Sequence, residues 1–137
     1  MEKQKAIILC IDDAAWLEAC KKLLEIRGYE VLSAQSEEQG LGLFVSHPID
    51  AVVLDYKMPG MNGDRAARQM KRLKPDVPIL MLSGYSELRP NALPCVDAFL
   101  SKGESLSTVV STLDRLLKLR FLFFDSWLED WKHQLAG

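Results

Sequence analysis

Four short apolar runs stand out from an otherwise mixed chain: Ala6 to Ile11, Ala51 to Leu54, Ile79 to Leu82 and Ala98 to Leu100. Each is continuous rather than alternating, the pattern of a strand buried on both faces. Glu30 to Ala34 alternates weakly and suits a further strand at a sheet edge. Between the first two of these strands, Trp16, Leu17, Cys20, Leu23, Leu24 and Arg27 keep helical spacing, and Gly28 supplies a stop. Ser36 can cap a helix to about Ser46, although Gly40 and Gly42 each weaken it by roughly 1 kcal/mol relative to alanine. After Leu54 comes a loop of turn residues ending at Gly63, and Asn62 can cap a helix through about Leu73. Pro90 and Pro94 keep any helix between Gly84 and Val96 brief or irregular. From Glu104 neither Pro nor Gly occurs until Gly137, which allows one helix of up to about thirty residues, about 45 Å long.

Five strands alternating with helices predict an α/β architecture: a doubly wound parallel sheet with right-handed crossovers, order 2-1-3-4-5, and an extended C-terminal helix. At 137 residues the chain suits one domain with a modest tail. The net charge of -2 gives no general attraction to nucleic acid or to anionic membrane. The first apolar stretch is interrupted by Asp12 and Asp13 too soon for a signal peptide or a membrane span, so the cytoplasm is the expected location. Cys10, Cys20 and Cys95 lack metal-site spacing and read as reduced, mostly buried thiols.

Chemistry gathers where the runs stop. Asp12 and Asp13 follow the first, Asp55 the third, Ser83 the fourth and Lys102 the fifth strand. In a parallel sheet those ends share one edge, where ligands bind. A single Asp closing a strand is an ordinary turn former; five such groups in register are not. Like charges about 4 Å apart repel by roughly 4 kcal/mol at an effective dielectric near 20, so the carboxylates either protonate or hold a cation. Oxygen-only ligands select a hard ion, and Mg²⁺ fits best, with a backbone carbonyl in the loop just after Asp55, for instance that of Lys57, as a further ligand. Lys102 and Ser83 can meet phosphoryl oxygens. A carboxylate nucleophile, a divalent metal and two donors are what in-line phosphoryl transfer to an aspartate requires.

The strings ILCIDDAAWLEACKKLLEIRGYEV, DAVVLDYKMPGMNG, VPILMLSGY and DAFLSK resemble the receiver domain of bacterial two-component response regulators across roughly residues 5 to 118. The resemblance implies a flavodoxin-like fold, a receiver domain over 1–118 and a helical extension over 119–137. It makes Asp55 the phosphoacceptor, Asp12 and Asp13 the Mg²⁺ ligands, Ser83 the hydroxyl that follows the phosphate, Lys102 the phosphate-binding lysine and Phe99 the switch aromatic. It implies a sensor histidine kinase or phosphotransfer protein as donor, and a switch rather than an enzyme. Tyr85 and Lys57, two residues after Ser83 and Asp55, are expected to restrict water access to the phosphate. Gly103 stands where the family usually has proline, and Asp64 where it commonly has an apolar residue.

Beyond the resemblance, Val110, Leu113, Leu117, Phe121, Phe124, Leu128, Trp131 and Leu135 step by three or four, the seam of an amphipathic helix. The tail either folds back over its own domain or pairs with a partner helix. A homodimer through Phe121, Phe124, Leu128 and Trp131 is the expectation. Ser126 with Glu129 matches a capping box that would allow a break near Asp125. With no DNA-binding segment in the sequence, output is expected through an unidentified partner protein. The alternative is a receiver domain whose effector follows Gly137. An aspartate-nucleophile phosphatase would need a second acid two residues after the nucleophile, where Lys57 stands.

Overall fold

The computed structural model describes residues 5–58, 61–84 and 95–136, with the backbone alone for 57, 58, 61, 62, 122–128 and 136. In chain order the elements are β1 (Ile7–Ile11), α1 (Ala14–Ile26), β2 (Glu30–Ala34), α2 (Glu37–Ser46), β3 (Ala51–Asp55), β4 (Lys57–Met58), β5 (Met61–Asn62), α3 (Gly63–Leu73), β6 (Ile79–Ser83), β7 (Ala98–Ser101) and α4 (Leu106–Ala136). The five longer strands form one sheet in the order β2-β1-β3-β6-β7, every pair parallel. This is the doubly wound 2-1-3-4-5 arrangement read from the sequence.

The continuous apolar runs are explained by cover on both faces. Leu9, Ile11, Val52, Leu54, Ile79 and Met81 point to one side and pack with Phe44 of α2 and Ala66, Ala67 and Met70 of α3. Their neighbours Ile8, Cys10, Val53, Leu80 and Leu82 point to the other, against Leu17, Cys20 and Leu24 of α1 and Val110, Leu113 and Leu117 of α4. Alternation of side chains across a strand puts these two sets on opposite faces. Cys10 and Cys20 are buried as free thiols and Cys95 is partly exposed.

Local chemistry sets the element ends. The Asp13 carboxylate accepts from the Trp16 N–H at the start of α1, and the Ser36 hydroxyl accepts from the Gln39 N–H at the start of α2. Gly28, with φ of 93°, turns the chain out of α1 in a conformation that favours glycine. Gly40 seats α2 on β1: a Cβ there would lie 2.4 Å from Ile11 Cδ1. The far end of α2 is held by Lys74, whose Nζ donates to the carbonyls of Phe44 and His47 at 2.6 and 2.9 Å.

Two features depart from the sequence reading. The segment after Asp55 is not simply loop, because Lys57–Met58 and Met61–Asn62 pair antiparallel as a small hairpin. The capping box at Ser126 does not interrupt the last helix, which runs unbroken over 31 residues. A helix with no Pro or Gly keeps its i to i−4 ladder through an optional cap. The segment holding Pro90 and Pro94 lies outside the described residues. No helix among the described residues is long and apolar enough to cross a membrane.

Long-range polar contacts fasten α4 to the body. Asp114 accepts from Arg27 Nη2 at 2.8 Å and from the Tyr29 hydroxyl. Six residues further on, Arg120 Nη1 donates to the backbone carbonyl and Oδ1 of Asp50 at 2.8 and 2.9 Å, and Nη2 to Asp76 at 3.3 Å. The other Asp50 oxygen accepts from the Ile7 N–H at 2.8 Å.

Candidate functional site

The parallel register delivers four chemical groups to one edge. Ile11 pairs with Leu54 and Asp55 with Leu82, so Asp12, Asp55 and Ser83 follow one another across three adjacent strands. Ser83 pairs with Ser101, which brings Lys102 level with them, and the Lys102 N–H donates to the Ser83 carbonyl at 2.8 Å. Asp12, Asp55 and Ser83 are buried, at 0%, 4% and 2% exposure. The Asp13 side chain, at the mouth, is 60% exposed.

Lys102 Nζ draws the carboxylates together, lying 2.7 Å from Asp12 Oδ1, 3.1 Å from Asp55 Oδ2 and 3.6 Å from Asp13 Oδ2. Asp12 Oδ1 also accepts from the Asp13 N–H at 2.6 Å. Its second oxygen, Oδ2, is buried with no hydrogen-bond partner. A buried carboxylate oxygen left bare costs free energy unless something positive meets it.

The titration of these groups follows from that geometry. Burial pushes the Asp12 carboxyl up; the hydrogen bonds from Lys102 and the Asp13 N–H pull it back, and the charge of Asp55 adds to the rise, leaving it at about 6 against an ordinary 3.8. Asp13 is held below its ordinary value, first by the Trp16 N–H that it caps. For Lys102, burial is the largest single influence and favours the neutral amine, but the hydrogen bonds and charges of Asp12 and Asp55 together outweigh it and hold the ammonium above its usual range.

The donor set suits a hard divalent ion. It is all oxygen, it includes the bare Asp12 Oδ2, and it carries more negative charge than Lys102 balances. Among the described residues no three His, Cys, Asp or Glu side chains are gathered into a ready-made cage. An ion here would complete its shell with water and ligand oxygens, as Mg²⁺ prefers.

The remaining sequence candidates fall in different places. The Lys57 backbone sits in the hairpin, paired with Asn62, two residues past Asp55. Phe99 is partly buried on β7, between Ala98 and Leu100, against the α2 and α3 side of the core. Tyr85 lies outside the described residues. Phe121 and Trp131, at 45% and 48% exposure, are on α4 away from this edge; the side chains of Phe124 and Leu128 lie outside the described residues. Asp64, flagged as an unusual residue, is buried at the start of α3.

Sequence reasoning missed two contributors. Gly63 closes the loop after Asp55 so tightly that a Cβ would lie 2.8 Å from the Tyr56 carbonyl oxygen and 2.9 Å from its Cα. In the sequence it is one turn residue among several. Arg120 carries no local signal in the sequence, because its partner Asp50 lies seventy positions away.

Comparison with known proteins bears on this edge. A family model described as "Response regulator receiver domain" matches residues 7–114. The phosphate regulon transcriptional regulatory protein PhoB of Pseudomonas aeruginosa is 36% identical over 85 residues, covering 61% of this chain and 37% of that protein. Response regulator MprA of Mycolicibacterium vanbaalenii is 31% identical over 115 residues, 82% of this chain and 50% of that protein. The chain thus spans half the length or less of these curated relatives. Among solved structures, response regulator TrrA of Thermotoga maritima, in complex with Mg²⁺-BeF, superposes with a TM-score of 0.75 at 29% identity, over 82% of this chain and 99% of that one.

Proposed function

Because the chain belongs to the response regulator receiver family, we propose that Asp55 accepts a phosphoryl group from a phosphohistidine on a partner kinase or phosphotransfer protein, and that the acyl phosphate switches protein contacts. Receiver domains are signalling switches rather than enzymes in the ordinary sense. The observation that carries the reading is the convergence of Asp12, Asp13 and Asp55 on Lys102 Nζ at one sheet edge, with a buried Asp12 oxygen left without a partner.

Asp12, Asp13, Asp55 and the Lys57 carbonyl would hold Mg²⁺. When bound, the ion supplies the positive charge that phosphoryl oxygens need near three carboxylates. A relative's complex with Mg²⁺-BeF supports the assignment by analogy. An Asp55 carboxylate oxygen forms the new O–P bond as the N–P bond to the donor imidazole breaks, and the leaving imidazole keeps the electron pair and takes a proton. Lys102, whose ammonium is held protonated, turns from the carboxylates to a phosphoryl oxygen. The Ser83 hydroxyl donates to another, and its movement at the end of β6 is passed to the neighbouring β7, where Phe99 changes its degree of burial. Tyr85 would limit attack by water.

The division into a receiver domain over 1–118 and an extension over 119–137 belongs to the same reading, as does a cytoplasmic setting. The extension is assigned to self-association through Phe121, Phe124, Leu128 and Trp131. A second reading, an effector in sequence beyond Gly137, draws on the greater length of the curated relatives.

Incubation with acetyl phosphate and Mg²⁺ should add one phosphoryl group by intact mass, and Asp55→Asn should add none. Equal labelling in EDTA would refute the metal assignment. Labelling that survives Asp55→Asn would refute the acceptor.

A further inference from the structure

Helices α2 and α3 cover the sheet face opposite α1 and α4, and they run side by side in the same direction. Glu37, at the start of α2, is ion-paired at 2.7 Å with Arg65, near the start of α3. At the far ends, Lys74 just past α3 grips the carbonyls of Phe44 and His47. Between these two ties lies an open groove of about 350 Å³, lined by Leu41 of α2 and by Gln69, Arg72 and Leu73 of α3. Val45, one turn on from Leu41, is 58% exposed, and Leu73 is 55% exposed. A Cβ at Gly42 would meet nothing within 4 Å, so the shoulder of α2 is low beside Leu41. From Arg65 to Leu73 the α3 wall is two turns long, about 12 Å.

The α3 rim of this groove is cationic and not fully compensated. Between positions 63 and 74 five cationic residues stand against one Asp, in a chain whose net charge is -2. Three of the five are engaged: Arg65 by Glu37, Lys71 by Asp97 at 2.7 Å, and Lys74 by the two carbonyls. Arg68 and Arg72 are exposed, one turn apart, and have no ion-pair or hydrogen-bond partner among the described residues. Gln69 stands between them in the sequence, and its Oε1 is buried without a partner. A bare buried acceptor costs free energy, which favours an occupant that brings a donor.

We infer that this groove docks an acidic amphipathic helix of another protein, its apolar side chains seated between Leu41 and Leu73 and its carboxylates on Arg68 and Arg72. Charge complementarity selects the sign of the partner. Spacing selects its form. Residues four apart on a helix stand about 6 Å apart, so two carboxylates one turn apart on the partner meet Arg68 and Arg72 together. Apolar residues at the same period fill the space between the two walls, as in other helix-in-groove contacts. The apolar lining argues against nucleic acid, which a net-negative chain with two free cations at this rim holds poorly. The groove lies on a face of the sheet and not at the Asp55 edge, so it adds a contact to the proposed switch without resting on it.

The test uses the unphosphorylated full chain and a displayed library of random helical peptides, with Leu73→Asn as the counter-target. That choice selects for the groove without selecting for charge. Enriched peptides should carry Asp or Glu one turn apart beside an apolar stripe, and in heteronuclear NMR they should shift the amides of Leu41, Gly42, Val45, Gln69 and Leu73. Their affinity should fall about tenfold for the double variant Arg68→Gln/Arg72→Gln, whose two exposed positions leave the core untouched. A library that yields no groove binder, enriched peptides without acids, or equal affinity for the double variant would overturn the inference. So would the same amides shifting on dilution of the free chain, which gives the groove to a second copy, or shifting with a single-stranded oligonucleotide in place of the peptide, which gives it to nucleic acid.

Discussion

Replacing Asp12 by Asn should remove a pH dependence from the stability of the protein. In the folded chain the Asp12 carboxyl titrates near 6 rather than near 3.8, because it is buried and faces Asp55. A raised carboxyl stabilises the fold only while folding keeps its proton on. The contribution is therefore complete below about pH 4, falls as the pH rises, and is gone once the pH passes about 6. At 1.36 kcal/mol for each pH unit between the two values, the loss amounts to about 3 kcal/mol. Asn at position 12 does not titrate. The stability of Asp12→Asn relative to the natural protein should thus rise by about 2 kcal/mol between pH 4.5 and pH 7.5, the rest of the change falling below pH 4.5. Urea unfolding in EDTA at several pH values measures this directly, and pH-independent effects of the substitution cancel in the comparison. Millimolar Mg²⁺ at pH 7.5 should restore stability to the natural protein and do little for the variant, since an ion that binds only the folded state adds RT ln(1 + [Mg²⁺]/Kd). A difference between the two proteins that stays flat across this range would refute the account of Asp12 as a carboxylate ionised at a cost.

Lys102→Ala should keep a Mg²⁺-dependent rise in the urea midpoint but lose the response to phosphorylation, because Lys102 is assigned to the phosphoryl oxygens. Loss of Mg²⁺ binding with normal switching would invert that assignment. Arg120→Ala should lower stability by about 1–2 kcal/mol, the worth of charge-assisted hydrogen bonds at a partly exposed site. Truncation after Lys118 should carry the same loss while truncation after Phe121 does not, as urea unfolding of the two shortened chains would show.

What the sequence disclosed depended on how local the signal was. The buried strands were legible because a run such as Ile79 to Leu82 is apolar throughout, and a strand covered on both faces needs that pattern. The site was legible for the same reason: Asp12, Asp55, Ser83 and Lys102 each interrupt or follow such a run, and parallel register does the rest. The hairpin at Lys57–Asn62 was hidden, since two-residue strands carry no period. The grip of Arg120 on Asp50 was hidden by their separation along the chain. The unsatisfied Asp12 oxygen is a property of three-dimensional enclosure that no spacing records.

The two glycines of α2 looked alike in the sequence, each a weakness in a helix. They differ in place: a Cβ at Gly42 would meet nothing within 4 Å, while one at Gly40 would strike Ile11. Gly40 lets the helix backbone rest against β1, and Phe44 sinks fully into the core beside it. At the carboxyl end, the loose carbonyls of Phe44 and His47 are met by an ammonium borrowed from beyond α3. Ten residues with two glycines are too short and too permissive to persist as an isolated helix. The protection of its amides against hydrogen exchange should therefore derive almost wholly from neighbours, from the seat of Gly40 and Phe44 on the sheet as well as from the grip of Lys74.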